Sequence, residues 1–230
     1  MKPQRILDCV TTPDGGEIVL YQRGDAFVIH IDNFELMTSR AHGSEEALAR
    51  LAMDALDAPG RRPAPRVLVG GLGMGFTLRA ALDCVAGRPG ARVVVAEFFP
   101  AVVEWNRRYL GQLAGEPLAD PRVEVALGDI ARPIAATAAT AAYDAILLDV
   151  DNGAEALTLE GNRHLYTQKG VARLHRALTP GGVLAVWSTD DDPRFTDRLT
   201  REGFTVTTHR AAARPGGKGT RHVIFVARRG

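Results

Sequence analysis

The feature that most constrains this chain is a glycine-dense run, Gly70-Gly71-Leu72-Gly73-Met74-Gly75, placed directly after an apolar stretch at 67–69 and directly before a helical pattern at 76–85. Glycine lets the backbone approach a ligand closely, and the N-terminus of the helix behind it offers unpaired N–H groups. Strand, glycine turn and helix in that order form the opening unit of a doubly wound α/β sheet and point to a nucleotide-like ligand. Spacing narrows the class. A GxGxxG fingerprint begun at Gly71 requires glycine at position 76, where Phe76 stands, and no GK[ST] occurs to make a phosphate-binding loop. The remaining GxGxG pattern fits folds that bind S-adenosylmethionine (SAM).

The rest of the chain supports such a sheet. Apolar, strand-like runs at 67–69, 93–96, 123–127, 145–148, 183–187 and 223–226 are separated in part by helical patterns at 76–85, 101–110 and 170–178. This alternation predicts a doubly wound, mostly parallel sheet with helices on both faces. Ahead of it, residues 5–37 read as a small β-meander, with strands at 17–21 and 26–31 and turns at Gly15-Gly16 and Arg23-Gly24-Asp25. Ser44 is expected to cap a helix whose first turn holds Glu45 and Glu46, where carboxylates favour the positive end of the helix dipole. The stretch 57–66, with three prolines and a glycine, is the expected linker, which divides the chain into an N-terminal unit at 1–57 and a nucleoside-binding unit at 58–230. Residues 131–142, rich in Ala and Thr, read as a plain helix or connector, and 211–220 as a solvated loop between two strands, with a basic flap over the crevice as the alternative.

Composition excludes several classes. With 46% apolar and 24% charged residues the chain is an ordinary globular sequence, and 28 Lys plus Arg against 27 Asp plus Glu leaves no general basic surface for nucleic acid. Cys9 and Cys84 make neither a disulfide framework nor a metal or redox pair, and the six histidines are scattered, so no metal is expected. Asp8 interrupts the only place for a leader, and no run approaches a membrane span; a cytoplasmic protein without membrane partners is expected.

Three acids fall where strands of such a sheet end. Glu97 closes the second strand 22 residues after Gly75, close to the spacing at which a carboxylate accepts hydrogen bonds from ribose hydroxyls. Asp129 follows the third strand and suits an adenine amino group. Asp149 ends the fourth strand at the same crevice and is the first choice for a group that orients or deprotonates a substrate, with Asp151 behind it. Tyr143, Tyr166 and Trp187 are candidate walls, with Tyr143 and Trp187, which flank or lie within strands, read more readily as core.

The ordered set VLVGGLGMGFTLR, VVVAEFFPAVVEWNRRYL, DPRVEVALGDI, YDAILLDVDN and LYTQKGVARLHRALTPGGVLAV resembles the spermidine synthase family of polyamine aminopropyltransferases, and the preceding meander with LMTSRAHGSEEALARLAM is similar to the family's N-terminal part. The resemblance implies a SAM-methyltransferase-like Rossmann fold, transfer of an aminopropyl group from decarboxylated SAM to an amine, and a homodimer. It implies donor binding by Gly71, Gly73, Gly75, Glu97 and Asp129, and a base at Asp149. The chain departs from the family in two places. The family loop is GGGDGG, and its aspartate aligns with Gly73; the family's DxxD becomes Asp149-Val150-Asp151, leaving Asp151 or Glu155 as substitutes toward the substrate. An acid in the glycine loop attracts the ammonium of decarboxylated SAM and repels the carboxylate of SAM, so Gly73 removes that discrimination.

An unperturbed aspartate is also a poor base. Its pKa lies about 6 units below that of an amine, a mismatch of roughly 8 kcal/mol, so Asp149 is expected to orient first and accept a proton second. Three readings follow: a spermidine-synthase-like transferase with an S-adenosyl donor and an acceptor that need not be a standard polyamine, a SAM-dependent methyltransferase, and a non-catalytic nucleoside-binding homologue. Fold alone does not choose among them.

Overall fold

The computed structural model describes all residues except 1–3, 13–14, 33, 59, 61, 138–139, 141 and 151–159, and for 160–161 the backbone only. Two sheets form. The first is an antiparallel meander of β1 (Gln4–Thr11), β2 (Glu17–Arg23), β3 (Ala26–Ile31) and β4 (Phe34–Thr38), paired in chain order. Alternation explains its inner face: Ile18, Leu20, Ile29 and Ile31 point one way and are buried together.

The second sheet has seven strands: β5 (Arg66–Gly70), β6 (Arg92–Glu97), β7 (Val123–Leu127), β8 (Tyr143–Leu148), β9 (Leu178–Ser188), β10 (Phe204–Arg214) and β11 (Lys218–Arg229), in the order β10-β11-β9-β8-β5-β6-β7. Strands β5 to β9 pair in parallel, and β11 and β10 add an antiparallel hairpin at one edge. The parallel strands are near-continuous apolar runs because helices cover both faces, and Val67, Leu68, Val69, Ile146 and Leu147 have no exposed surface. The expected doubly wound sheet is therefore present. The segment 211–220, read from sequence as a loop, instead continues both strands of the hairpin around a tip at Pro215–Gly217. Its Ala, Arg and Thr content hides a strand whose solvent face is polar, and β10 was invisible for the same reason.

The helices are α1 (Gly43–Asp57), α2 (Phe76–Cys84), α3 (Pro100–Trp105), α4 (Ala131–Thr137), α5 (Gln168–Ala177) and α6 (Pro193–Arg201). Leu48, Ala49, Ala52, Met53 and Leu56 form the buried stripe of α1, which packs on α2 and on β8 to β11. At roughly 2 kcal/mol for a fully buried leucine, that stripe fixes the helix firmly on the sheet. Ser44 does not cap it. The N-cap is His42, without a side-chain bond, and the Ser44 hydroxyl is engaged elsewhere. The 57–66 segment is tied down beneath the sheet, where Arg62 Nη1 reaches Asp144 Oδ1 at 2.5 Å and Arg88 pairs with Asp57. The meander is tied to α3 by the Trp105 indole N–H, which donates to Asp8 Oδ2 at 2.7 Å. Among the described residues, no helix is long and apolar enough to cross a membrane.

Candidate functional site

The strand order reverses between β5 and β8, so their C-terminal ends open a crevice at the point where open α/β sheets bind ligands. Gly71 and Asp149 meet there. The Asp149 N–H donates to the Gly70 carbonyl at 2.9 Å, and a Cβ on Gly71 would lie 2.4 Å from the Asp149 carbonyl oxygen, at a φ of +85°. Only glycine fits that close approach.

The crevice is roofed by the N-terminal meander, giving a cavity of about 360 Å³. Its lining brings Ala96, Phe98, Gly128, Ile130 and Val150 with Glu97 and Asp129 from the sheet side together with Ile29, Leu36 and Met37 of the meander, Ser44 and Glu45 of α1, Trp187 and His222. Gly71, Gly73 and Asp149 line it as well. Its charged groups are of one sign: Glu35, Glu45, Glu97, Asp129 and Asp149 are carboxylates, and no Lys or Arg stands among the described lining residues.

Glu97 is buried at the end of β6. Its Oε2 accepts the Leu72 N–H at 3.0 Å and its Oε1 the Phe99 N–H at 2.8 Å. Burial pushes its pKa up, and these backbone N–H groups oppose the rise. The N–H groups of Gly73 and Phe98 act on it in the same sense. Asp129 is fixed by the Ala131 N–H, which donates to its Oδ1 at 2.7 Å at the start of α4. Phe98, next to Glu97 in sequence, presents an exposed ring in the cavity wall.

Asp149 accepts the Thr77 hydroxyl at its Oδ2, 2.5 Å away. Burial raises its pKa from 3.8 to about 6, against the lowering effect of that hydroxyl. Glu45 faces it from α1 and is pushed well above the ordinary range, first by burial, then by the negative charges of Asp149 and Glu46. Two carboxylates so placed resist being ionised together. Next to Glu45, the Ser44 hydroxyl meets His222 Nδ1 at 2.9 Å and receives the Trp187 indole N–H at 3.0 Å, which locks the first turn of α1 onto β9 and β11. Burial lowers the His222 pKa, with Asp190 opposing.

Of the residues singled out from sequence, Gly71, Gly73, Glu97, Asp129 and Asp149 come together in the cavity. Gly75 stands behind it as the N-cap of α2, against Pro117 and Asn106. Asp151 and Glu155 lie outside the described residues. Trp187 lines the cavity, whereas Tyr143 and Tyr166 are buried in the core. Sequence reasoning missed Asn106, whose Nδ2 donates to the carbonyls of Gly73 at 2.8 Å and Val102 at 2.9 Å from a π-helical turn at Asn106–Leu110, bracing the glycine loop. It also missed Glu45, which carried only the signal of a helix first turn.

No family model matches the chain. It is 31% identical over 174 residues to the polyamine aminopropyltransferase of Mycobacterium tuberculosis, a match that covers 74% of this chain and 30% of that protein. The chain thus spans about a third of the length of this relative. Its fold superposes on the spermidine synthase of Thermotoga maritima with a TM-score of 0.74 at 22% identity, covering 98% of this chain and 73% of that one. A spermidine synthase in complex with the transition-state analogue AdoDATO gives 0.72 at 21%, over 98% and 73% of the two chains. Human methyltransferase-like protein 13, in complex with SAH, gives 0.61 at 20%, over 82% of each chain.

Proposed function

The chain belongs to the spermidine synthase family, and from that premise we propose that it transfers an aminopropyl group from decarboxylated SAM to an amine. The observation that carries the proposal is the single sign of charge in the cavity, where five carboxylates stand with no Lys or Arg among the described lining residues. Such a cavity attracts a sulfonium and two ammonium groups and disfavours the carboxylate that distinguishes SAM. In this reading Glu97 takes the ribose hydroxyls, Phe98 and Ile130 flank the adenine, and Asp129 accepts from its amino group.

The reaction is an in-line displacement. The acceptor ammonium first gives up a proton; its nitrogen lone pair attacks the propyl carbon bound to sulfur, the C–S pair returns to sulfur as a neutral thioether, and the nitrogen becomes a secondary ammonium. Asp149 orients the acceptor. With its pKa at about 6, the gap to an amine near 10 narrows to about 4 units, which removes roughly 3 kcal/mol of the mismatch of an ordinary aspartate. The meander roof excludes water and holds both reactants in one place, which lowers the barrier through orientation.

Methyl transfer from SAM is the second reading, favoured by the absence of an acid at Gly73. Calorimetric titration separates the two. A preference for decarboxylated SAM over SAM of at least tenfold, about 1.4 kcal/mol, together with release of 5′-methylthioadenosine in the presence of an amine, is the expected result. Preference for SAM selects methylation, and binding of either donor without product across a panel of amines selects a non-catalytic protein.

A further inference from the structure

Resting on that reading, the cavity raises the question of what replaces a charge in the glycine loop. Gly73 has a φ of +51°, and a Cβ there would meet both Sδ and Cε of Met37 at 3.0 Å. The thioether of β4 therefore occupies the space into which an acidic side chain at position 73 would extend, and it brings no charge. The loop itself cannot recognise an ammonium.

A carboxylate reaches the same cavity from the first turn of α1. Glu45 lines it together with Gly73, Met37 and Asp149. Its place is fixed on both sides: Ser44 is held by Trp187 and His222, and the Thr77 hydroxyl sits 3.4 Å from the Glu45 carbonyl and 2.5 Å from Asp149 Oδ2. We propose that Glu45 is the donor-specificity residue, its carboxylate holding the ammonium at the end of the propyl arm of decarboxylated SAM and rejecting the carboxylate of SAM, which leaves Asp149 for the acceptor amine. The selecting charge thus comes from the first turn of α1 instead of the glycine loop.

The electrostatics of the cavity give this assignment a second signature. Before ligands arrive, Glu45 and Asp149 repel each other in a buried place and retain a proton between them at mildly acid pH. The other ionisable groups near the pair are Glu46, which binds His42 and Arg50, and, in the cavity wall, Glu35, Glu97, Asp129 and His222. An incoming ammonium stabilises the charged form of Glu45, so binding of decarboxylated SAM expels that proton, while a nucleoside without an amino group does not.

The test compares wild type with Glu45→Gln, a near-isosteric change that removes a buried charge, by calorimetry with decarboxylated SAM, SAM and 5′-methylthioadenosine. Expected are a tenfold or greater loss of affinity for decarboxylated SAM, no loss for SAM, and 5′-methylthioadenosine affinity within twofold of wild type. Repeating the wild-type titration at pH 6.5 in two buffers of different ionisation enthalpy should show proton release with decarboxylated SAM alone. Unchanged affinity for decarboxylated SAM, an equal loss for 5′-methylthioadenosine, or the same proton balance for both ligands overturns the assignment. If wild type binds 5′-methylthioadenosine and Glu45→Gln keeps wild-type affinity for decarboxylated SAM, only this inference falls; if wild type binds no adenosyl nucleoside, the proposed function falls with it.

Discussion

The carboxylate of Glu97 accepts the backbone N–H of Leu72 at 3.0 Å, so the acid that ends β6 also sets the shape of the glycine loop that follows β5. On the proposed function, ligand recognition and loop geometry share one side chain. Replacing it with Gln turns one oxygen into a donor that faces an N–H of Leu72 or Phe99. Hydrogen bonds to a charged group contribute about 1.5–3 kcal/mol, so Glu97→Gln should weaken 5′-methylthioadenosine binding by tenfold or more in a calorimetric titration. Wild-type affinity in that variant would remove Glu97 from the nucleoside site.

Gly71→Ala tests the close approach of β5 and β8. The added methyl meets the Asp149 carbonyl oxygen, and the backbone is held at a φ of +85°. The left-handed conformation alone costs about 1–2 kcal/mol in an L-residue, before the clash displaces the strand end that carries Asp149. A fall in Tm of several degrees and loss of nucleoside binding are expected; a variant that melts and binds like wild type would show that the switch point tolerates a side chain.

Asp149→Asn should abolish transfer and leave donor affinity nearly unchanged, as measured by turnover and calorimetry on the same preparation. It also carries a stability signature. The folded pKa of Asp149 lies at about 6, above the unfolded value of 3.8, so its contribution is fully present below the unfolded value and is lost as pH rises through about 6. The neutral variant lacks that loss. Relative to wild type, Asp149→Asn should therefore gain stability between pH 4 and 8, by about 1–3 kcal/mol in urea denaturation. A constant difference across that range would mean that Asp149 is not desolvated.

Asn106→Ala removes two donors from the carbonyls of Gly73 and Val102. The expected cost is about 1–3 kcal/mol, concentrated in the loop rather than the sheet. Hydrogen exchange should speed up at Leu72 to Gly75 while the amides of β5 and β6 stay protected. Equal acceleration throughout would make Asn106 an ordinary core residue.

The fold was legible in the sequence wherever one physical signal dominated. Buried parallel strands such as β5 and β8 are apolar on both faces and announce themselves, and the glycines around 71 mark the turn that follows. Glu97, Asp129 and Asp149 could be placed because each ends a strand of that sheet. The other half of the site was hidden because it depends on packing between segments far apart in sequence. Ser44 looks like a helix cap until Trp187 and His222 are seen to claim its hydroxyl, and Glu45 looks like a dipole-complementing acid until α1 is laid across the crevice. Asn106 gives no local sign at all, since its role is the reach of its amide to Gly73.

The most direct measurement is a crystal structure with 5′-methylthioadenosine bound. The account predicts both ribose hydroxyls on the Glu97 carboxylate, adenine between Phe98 and Ile130, and the methylthio group pointing toward Glu45 and Asp149. A nucleoside bound elsewhere, or one seated in this cavity with no ribose contact to Glu97, would contradict it.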